Sequence, residues 1–283
     1  MFRLLSILMM FICATSLAQI KMPYQIYTKN GKKISYKKMV AEGAKNDVVL
    51  FGEHHNNSVI HWLELEFAKD LSERKPIIIG AEMIEADNQL QLNQYLKGEI
   101  NQKAFDTVAR LWSNYKTDYK PIVDFAKDKS FPFIATNVPR RYASMVFRGG
   151  LEALDTLSSL DRQWIVKLPF PYDKNLPAYV RMVKEMGEHG GDKLPKAQAL
   201  KDATMAHFIT KNANHTSTFI HYNGTYHSDD YEGIYYYINK DSPKLKMMTI
   251  ATVDQEDVSK FDKENLNKAD FIIVVDEDIT KTH

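Results

Sequence analysis

An α/β fold, a mostly parallel sheet flanked by helices, is the class this sequence predicts, and three observations predict it. Apolar β-type runs recur without polar alternation, helical stretches separate them, and polar side chains gather just after each run. A strand buried on both faces reads as a continuous apolar run, and helices between such runs are the crossovers a parallel sheet needs. The chain has 283 residues, 44% of them hydrophobic, which suffices for such a core.

The elements follow in order. "MFRLLSILMMFICATSLAQ" carries Arg3, an apolar run from Leu4 to Cys13, and small residues Ser16 and Ala18 spaced as a signal-peptidase site. The run is shorter than the ~20 apolar residues of a spanning helix. Residues 1–18 therefore read as a secretory signal peptide, and 19–283 as a single domain without a transmembrane segment. Cys13 is the only cysteine, so cleavage after Ala18 leaves no disulfide or thiolate chemistry; lipidation at Cys13 is the minority alternative. The expected location is periplasmic or outer-membrane-associated.

Next comes a hairpin, "YQIYTKNGKKISY", turning at Asn30-Gly31. The runs are "DVVLF" (47–51), "PIIIGA" (76–81), "FPFIAT" (131–136), "STFIHY" (217–222), "KMMTIATV" (246–253) and "DFIIVV" (270–275). Asn57 or Ser58 caps a helix with Ile60, Leu63, Phe67 and Leu71 on one face, Pro139 starts another, and a third spans roughly Pro195 to Asn212. Between the third and fourth runs a stretch too long for a plain crossover predicts a helical insertion, approximately 140–215, forming a subdomain or lid. The closing "DEDITKTH" reads as a frayed tail. Lys+Arg 37 against Asp+Glu 36 and no basic block leave no electrostatic footprint for nucleic acid.

Ligands of parallel sheets bind beyond the carboxyl ends of the strands. There the chain places Gly52, Glu53, His54, His55, Asn56 and Asn57, then Glu82, then Asn137 and Arg140, then Asn223, Gly224 and His227, then Asp254. Asn137 and Asp254 could equally be helix caps. Glu53 and Glu82 follow buried runs, where an ionised group is costly without a cation or donor beside it. In an extended strand Glu53 and His55 point the same way and His54 points opposite. Glu53, His55, Glu82 and His227 are thus candidate ligands of a divalent metal, and Glu53, His55 and Glu82 are the catalytic groups if the protein is an enzyme. His61, on the first helical turn, is read as structural.

The chain also resembles the ChaN-like haem-binding proteins, a family of exported, iron-linked proteins related to the erythromycin-esterase and TraB-like group. The resemblance rests on "GEHHNN", "GAEM", "LWSNYKTDYKPIVDFA", "ATNVPRRYASMVFRGG", "KDATMAHFI" and "HYNGTYH". It implies non-covalent haem in an apolar pocket, a homodimer closing around it, and motif positions Glu53, His55, Asn57, Glu82, Asn137, Arg140, Asp202, Asn223 and His227. An Asn at 56, where the family often has Asp, is a departure. Haem iron takes His, Met, Cys or Tyr. The insertion offers Tyr172, Tyr179, Met182, Met186 and His189, with Arg140, Arg148, Lys174 and Arg181 available for propionates. A Met and Tyr stripe is also what an ordinary core contains. The expected function is haem binding for iron acquisition; the alternative is a metal-dependent or Glu/His-assisted hydrolase of an ester, amide or peptide bond.

Overall fold

The structure, a computed structural model, describes residues 21–186 and 191–283. The signal-peptide reading, Cys13 and His189 lie outside the described residues.

The strands are β1 (Tyr24–Thr28), β2 (Lys33–Ile34), β3 (Val48–Glu53), β4 (Ile77–Glu85), β5 (Phe133–Asn137), β6 (Thr218–Gly224), β7 (Met247–Gln255) and β8 (Phe271–Asp276). They form one sheet in the order β2-β1-β8-β7-β3-β6-β4-β5. The six apolar runs have become β3 to β8, paired in parallel. The opening hairpin adds two antiparallel strands on the β8 edge. Gly31, at φ +75°, supplies the left-handed residue of its turn.

Helices α1 (Tyr36–Gly43), α2 (Ser58–Ser72), α3 (Gln89–Leu96), α4 (Gln102–Val108) and α5 (Lys120–Lys129) precede β5. Helices α6 (Arg140–Gly149), α7 (Ser159–Arg162), α8 (Pro177–Met186) and α9 (Lys193–Asn212) lie between β5 and β6, and α10 (Ile234–Asp241) precedes β7. Period-two alternation divides β3 between two cores. Val49 and Phe51 join Ile60, Leu63, Phe67 and Leu71 of α2, whereas Val48 and Leu50 join Val146 of α6, Leu200 and Ala203 of α9, and Ile238 of α10. Each large side chain buried this way contributes about 1.5–3 kcal/mol. The expected insertion is thus partly a crossover, since α9 packs directly on the sheet while α7 and α8 extend around it.

Two close contacts fix the fold, one at the centre of the sheet and one at its rim. The Phe219 ring lies where a side chain at Gly80 would stand, 2.5 Å from an added Cβ. Gly80→Val is therefore expected to overpack the core by roughly 1–3 kcal/mol, read as a lowered urea midpoint at unchanged m-value. At the rim, the tail corrects the expectation of fraying. Thr282 N–H donates to the Asn56 carbonyl at 2.9 Å, its hydroxyl donates to Asp118 at 2.7 Å, and Lys281 pairs with Asp254 at 2.9 Å. The turn after β3 carries acceptors, and the tail supplies donors to them.

Candidate functional site

The turn after β3 is held by Asn57. Its side-chain oxygen accepts the N–H groups of Val59 and Ile60 at 3.1 and 3.2 Å, capping α2 and bending the chain sharply after the strand. Glu53, 1% exposed, ends β3 beneath this turn. His55 Nδ1 lies 2.6 Å from one Glu53 oxygen, and the Tyr119 hydroxyl donates to the same oxygen at 2.9 Å. Behind them His61 turns Nδ1 toward Glu53 and Glu64, at 3.0 and 3.2 Å, and Nε2 toward the His55 carbonyl at 3.1 Å. Asn114 braces this cluster by donating to that carbonyl and to Asp118, at 2.9 and 2.8 Å.

A second buried chain starts on β4. One Glu82 oxygen accepts the Gly224 N–H at 2.8 Å, and the other lies 3.2 Å from His227 Nε2. His227 Nδ1 stands 2.5 Å from Asp202 of α9, whose other oxygen accepts the Tyr179 hydroxyl at 2.9 Å. Gly224 joins the two chains. A Cβ there would stand 2.6 Å from His55 Nε2, so glycine lets the His55 ring cross the end of β6.

These contacts set the charges. Burial opposes ionisation of Glu53, yet the His55 hydrogen bond and the His61 imidazole beside it outweigh it and hold the carboxyl down to about 2. Burial and the Glu53 charge push Glu64 well above the usual carboxylate range. Burial would lower both imidazoles, but Glu53 and Glu64 raise His61 to about 11, and Glu82 and Asp202 raise His227 to about 9. Two carboxylate–imidazole systems, Glu53–His55 and Glu82–His227–Asp202, therefore meet at one place.

That place is a cavity of about 780 Å³ at the carboxyl ends of β3, β4, β5 and β6. Glu53, His55, Glu82, Asn137, Arg140 and His227 all line it. His54 also lines it, with Nδ1 3.2 Å from Asp254. Trp112 sets its edge against the His55 ring, 4.8 Å between centroids. The Asn137 side-chain oxygen is buried without a hydrogen-bond partner. Arg140 and Lys201 have no carboxylate within salt-bridge distance among the described residues.

The remaining residues singled out from the sequence sit elsewhere. Asn57 is the cap just described. Asn223 is fully buried; its side-chain oxygen lies 2.9 Å from His221 Nδ1, and its amide donates to Ser228 at 3.0 Å. Tyr172 packs beside Tyr179, Met182 is buried on α8, and Arg148 is exposed in the last turn of α6. Reading the sequence alone misses Glu64, Asp118, Asn114, Tyr119 and Lys201, and assigns His61 to the scaffold. One signal is present: His61 and Glu64 stand three apart on the helix that opens right after "GEHHNN", so both face the strand end.

A family model described as "Haem-binding uptake, Tiki superfamily, ChaN" matches residues 39–238. The chain belongs to this family. The ChaN match runs from within α1 to within α10; it takes in both carboxylate–imidazole systems and the cavity lining except His283, and leaves β7, β8 and the tail outside. Among solved structures, a Campylobacter jejuni ChaN described with cofacial haem binding is similar at 18% identity and TM-score 0.66, covering 89% of this chain and 96% of that one. A Bacillus cereus protein is similar at 11% identity and TM-score 0.51, covering 88% and 93% of the two chains. An erythromycin esterase in its open conformation aligns at 10% identity and TM-score 0.46, over 82% of this chain and 77% of that one. No curated protein sequence gives a significant match. The first two of these likenesses establish the α/β fold, and the family model establishes membership of a haem-binding family.

Proposed function

We propose that this ChaN-family protein is exported and carries haem for iron acquisition in the cavity at the strand ends. The observation that carries the reading is the pairing of a roomy cavity with two cations, Arg140 and Lys201, that have no carboxylate partner among the described residues. About 780 Å³ falls within the usual span of small-molecule sites, roughly 300–1,000 Å³. The chain's own groups fit the ligand in kind. Trp112, Val138 and Ala143 offer apolar wall, and Arg140 and Lys201 offer donors for propionates. The wall is mixed rather than apolar.

Haem, when bound, would supply iron that takes a protein ligand. Tyr226 would hold it: it lines the cavity, is 41% exposed, and reaches only a 3.4 Å contact with the Ala178 carbonyl. His55 is tied to Glu53 on one nitrogen and lies against Gly224 with the other. Tyr179, with its hydroxyl committed to Asp202, serves the scaffold instead. The same reading includes a homodimer whose second copy covers this mouth.

Hemin titrated into residues 19–283 is expected to give a saturable Soret shift. Arg140→Ala should weaken binding by roughly tenfold, the worth of one charge-assisted hydrogen bond, and Tyr226→Phe should change the Soret position. Absence of a shift at micromolar hemin would overturn the reading. The Glu82–His227–Asp202 chain favours a second reading, acid-base hydrolysis with Glu53, His55 and Glu82 as the working groups. Turnover of an ester or amide panel, abolished in Glu82→Gln, would support it.

A further inference from the structure

We propose that Glu53, Glu64 and His61 form a binding site for one divalent transition-metal ion, of the zinc or manganese class, behind the cavity wall and separate from the place assigned to haem. The three residues are buried and offer one ligand atom each within 4.8 Å of one another.

The tautomer of His61 is the first support. Nε2 lies 3.1 Å from the His55 carbonyl oxygen, which can only accept, so Nε2 carries a hydrogen and donates it. Nδ1 is then the nitrogen presented to Glu53 and Glu64. A ring nitrogen facing carboxylates while its opposite nitrogen donates to a carbonyl is the arrangement that orients metal-ligating histidines. Asp118, 3.5 Å from Nε2 and braced by Asn114 and Thr282, fixes the ring from the same side.

The second support is what the carboxylates lack. Glu53 Oε2 is 3.0 Å from Nδ1 but is not aligned for a hydrogen bond, and it has no other partner. Glu64 Oε1, on a residue 2% exposed, has none either. One divalent cation serves several acceptors at once, in place of the protons that otherwise stand between Nδ1 and these carboxylates. The spacing suits one: ligands held about 2.0–2.2 Å from a shared ion stand roughly 2.8–3.6 Å apart between octahedral and tetrahedral angles, and Nδ1 lies 3.0 and 3.2 Å from the two carboxylates. One nitrogen and two carboxylates, with no thiolate, is a donor set for zinc or manganese. Access runs through the cavity, because Glu53 and half-buried His55 both line it.

The test uses haem-free protein dialysed against zinc or manganese chloride and then against metal-free buffer, with elemental analysis and thermal unfolding. One retained equivalent with a raised Tm is expected in the wild type and in Glu82→Gln, and loss of both in Glu64→Gln. If Glu64→Gln fails to fold, His61→Gln carries the same comparison, and visible absorption of the cobalt-loaded wild type reads the nitrogen and oxygen donors directly. No retained metal in the wild type overturns the proposal. So does metal that survives Glu64→Gln and His61→Gln but is lost in Glu82→Gln, which would move the ion to the cavity.

Discussion

Replacing Asp202 with alanine is expected to remove roughly 3–5 kcal/mol of stability, the cost of breaking a buried ion pair by deleting one partner. Asp202 is 1% exposed and serves two groups, accepting the Tyr179 hydroxyl at 2.9 Å and pairing with His227 at 2.5 Å. Alanine leaves a buried hydroxyl without its acceptor and a buried imidazolium facing Glu82 alone. Asp202→Asn retains an acceptor for Tyr179 and loses only the charge, so it should fall between the wild type and the alanine variant. Urea denaturation at pH 7 of the three proteins measures this. An alanine variant as stable as the wild type would show that neither Tyr179 nor His227 depends on Asp202.

The second large effect is a loss of stability on the alkaline side. His227 has its folded value raised from 6.5 to about 9, so the folded protein keeps a proton that the unfolded chain releases. Its contribution is complete below pH 6.5 and is lost as pH rises through about 9. The size is about 3 kcal/mol, at roughly 1.4 kcal/mol per pKa unit. His61, raised to about 11, acts with the same sign over a wider window, so the comparison of wild type with His227→Gln isolates the His227 share. Glu53 has the opposite sign: its folded value is lowered from 4.5 to about 2, and its contribution is lost as pH falls through that range. Unfolding free energy measured from pH 5 to 10 should therefore decline above pH 6.5 and decline less steeply in His227→Gln. Parallel profiles would show that His227 is not protonated where Glu82 and Asp202 hold it.

Much of the architecture is legible in period and composition. A strand covered on both faces has few polar positions, so each of the six runs announces itself, and the polar residues after them mark the rim. Asn57 is readable because a cap is a local event. What cannot be read is set by contacts between distant segments. The spacing of His61 and Glu64 turns both toward the strand end, but it does not say that they reach Glu53, and only the packing of α5's approach, Asn114 to Tyr119, closes that pocket. Tyr179 and Met182 share the composition of a cofactor wall and of a core, and composition does not reveal that the Tyr179 hydroxyl donates to Asp202. The tail looks free because its polar residues have no partner nearby in sequence, and it finds partners at Asn56 and Asp118.

The sheet order has a consequence for how the chain is made. β6 lies between β3 and β4, both of which leave the ribosome long before it. Until β6 arrives, each of those strands exposes an unpaired edge, Val48 to Glu53 on one and Ile77 to Ala81 on the other, whose eventual neighbour is the same late segment. Such edges are templates for wrong pairing, and distant pairings are slow. The nascent chain therefore passes through a stage at which its most aggregation-prone backbone is uncovered; Phe219 closing over Gly80 ends it for β4, and the later arrival of β7 ends it for β3.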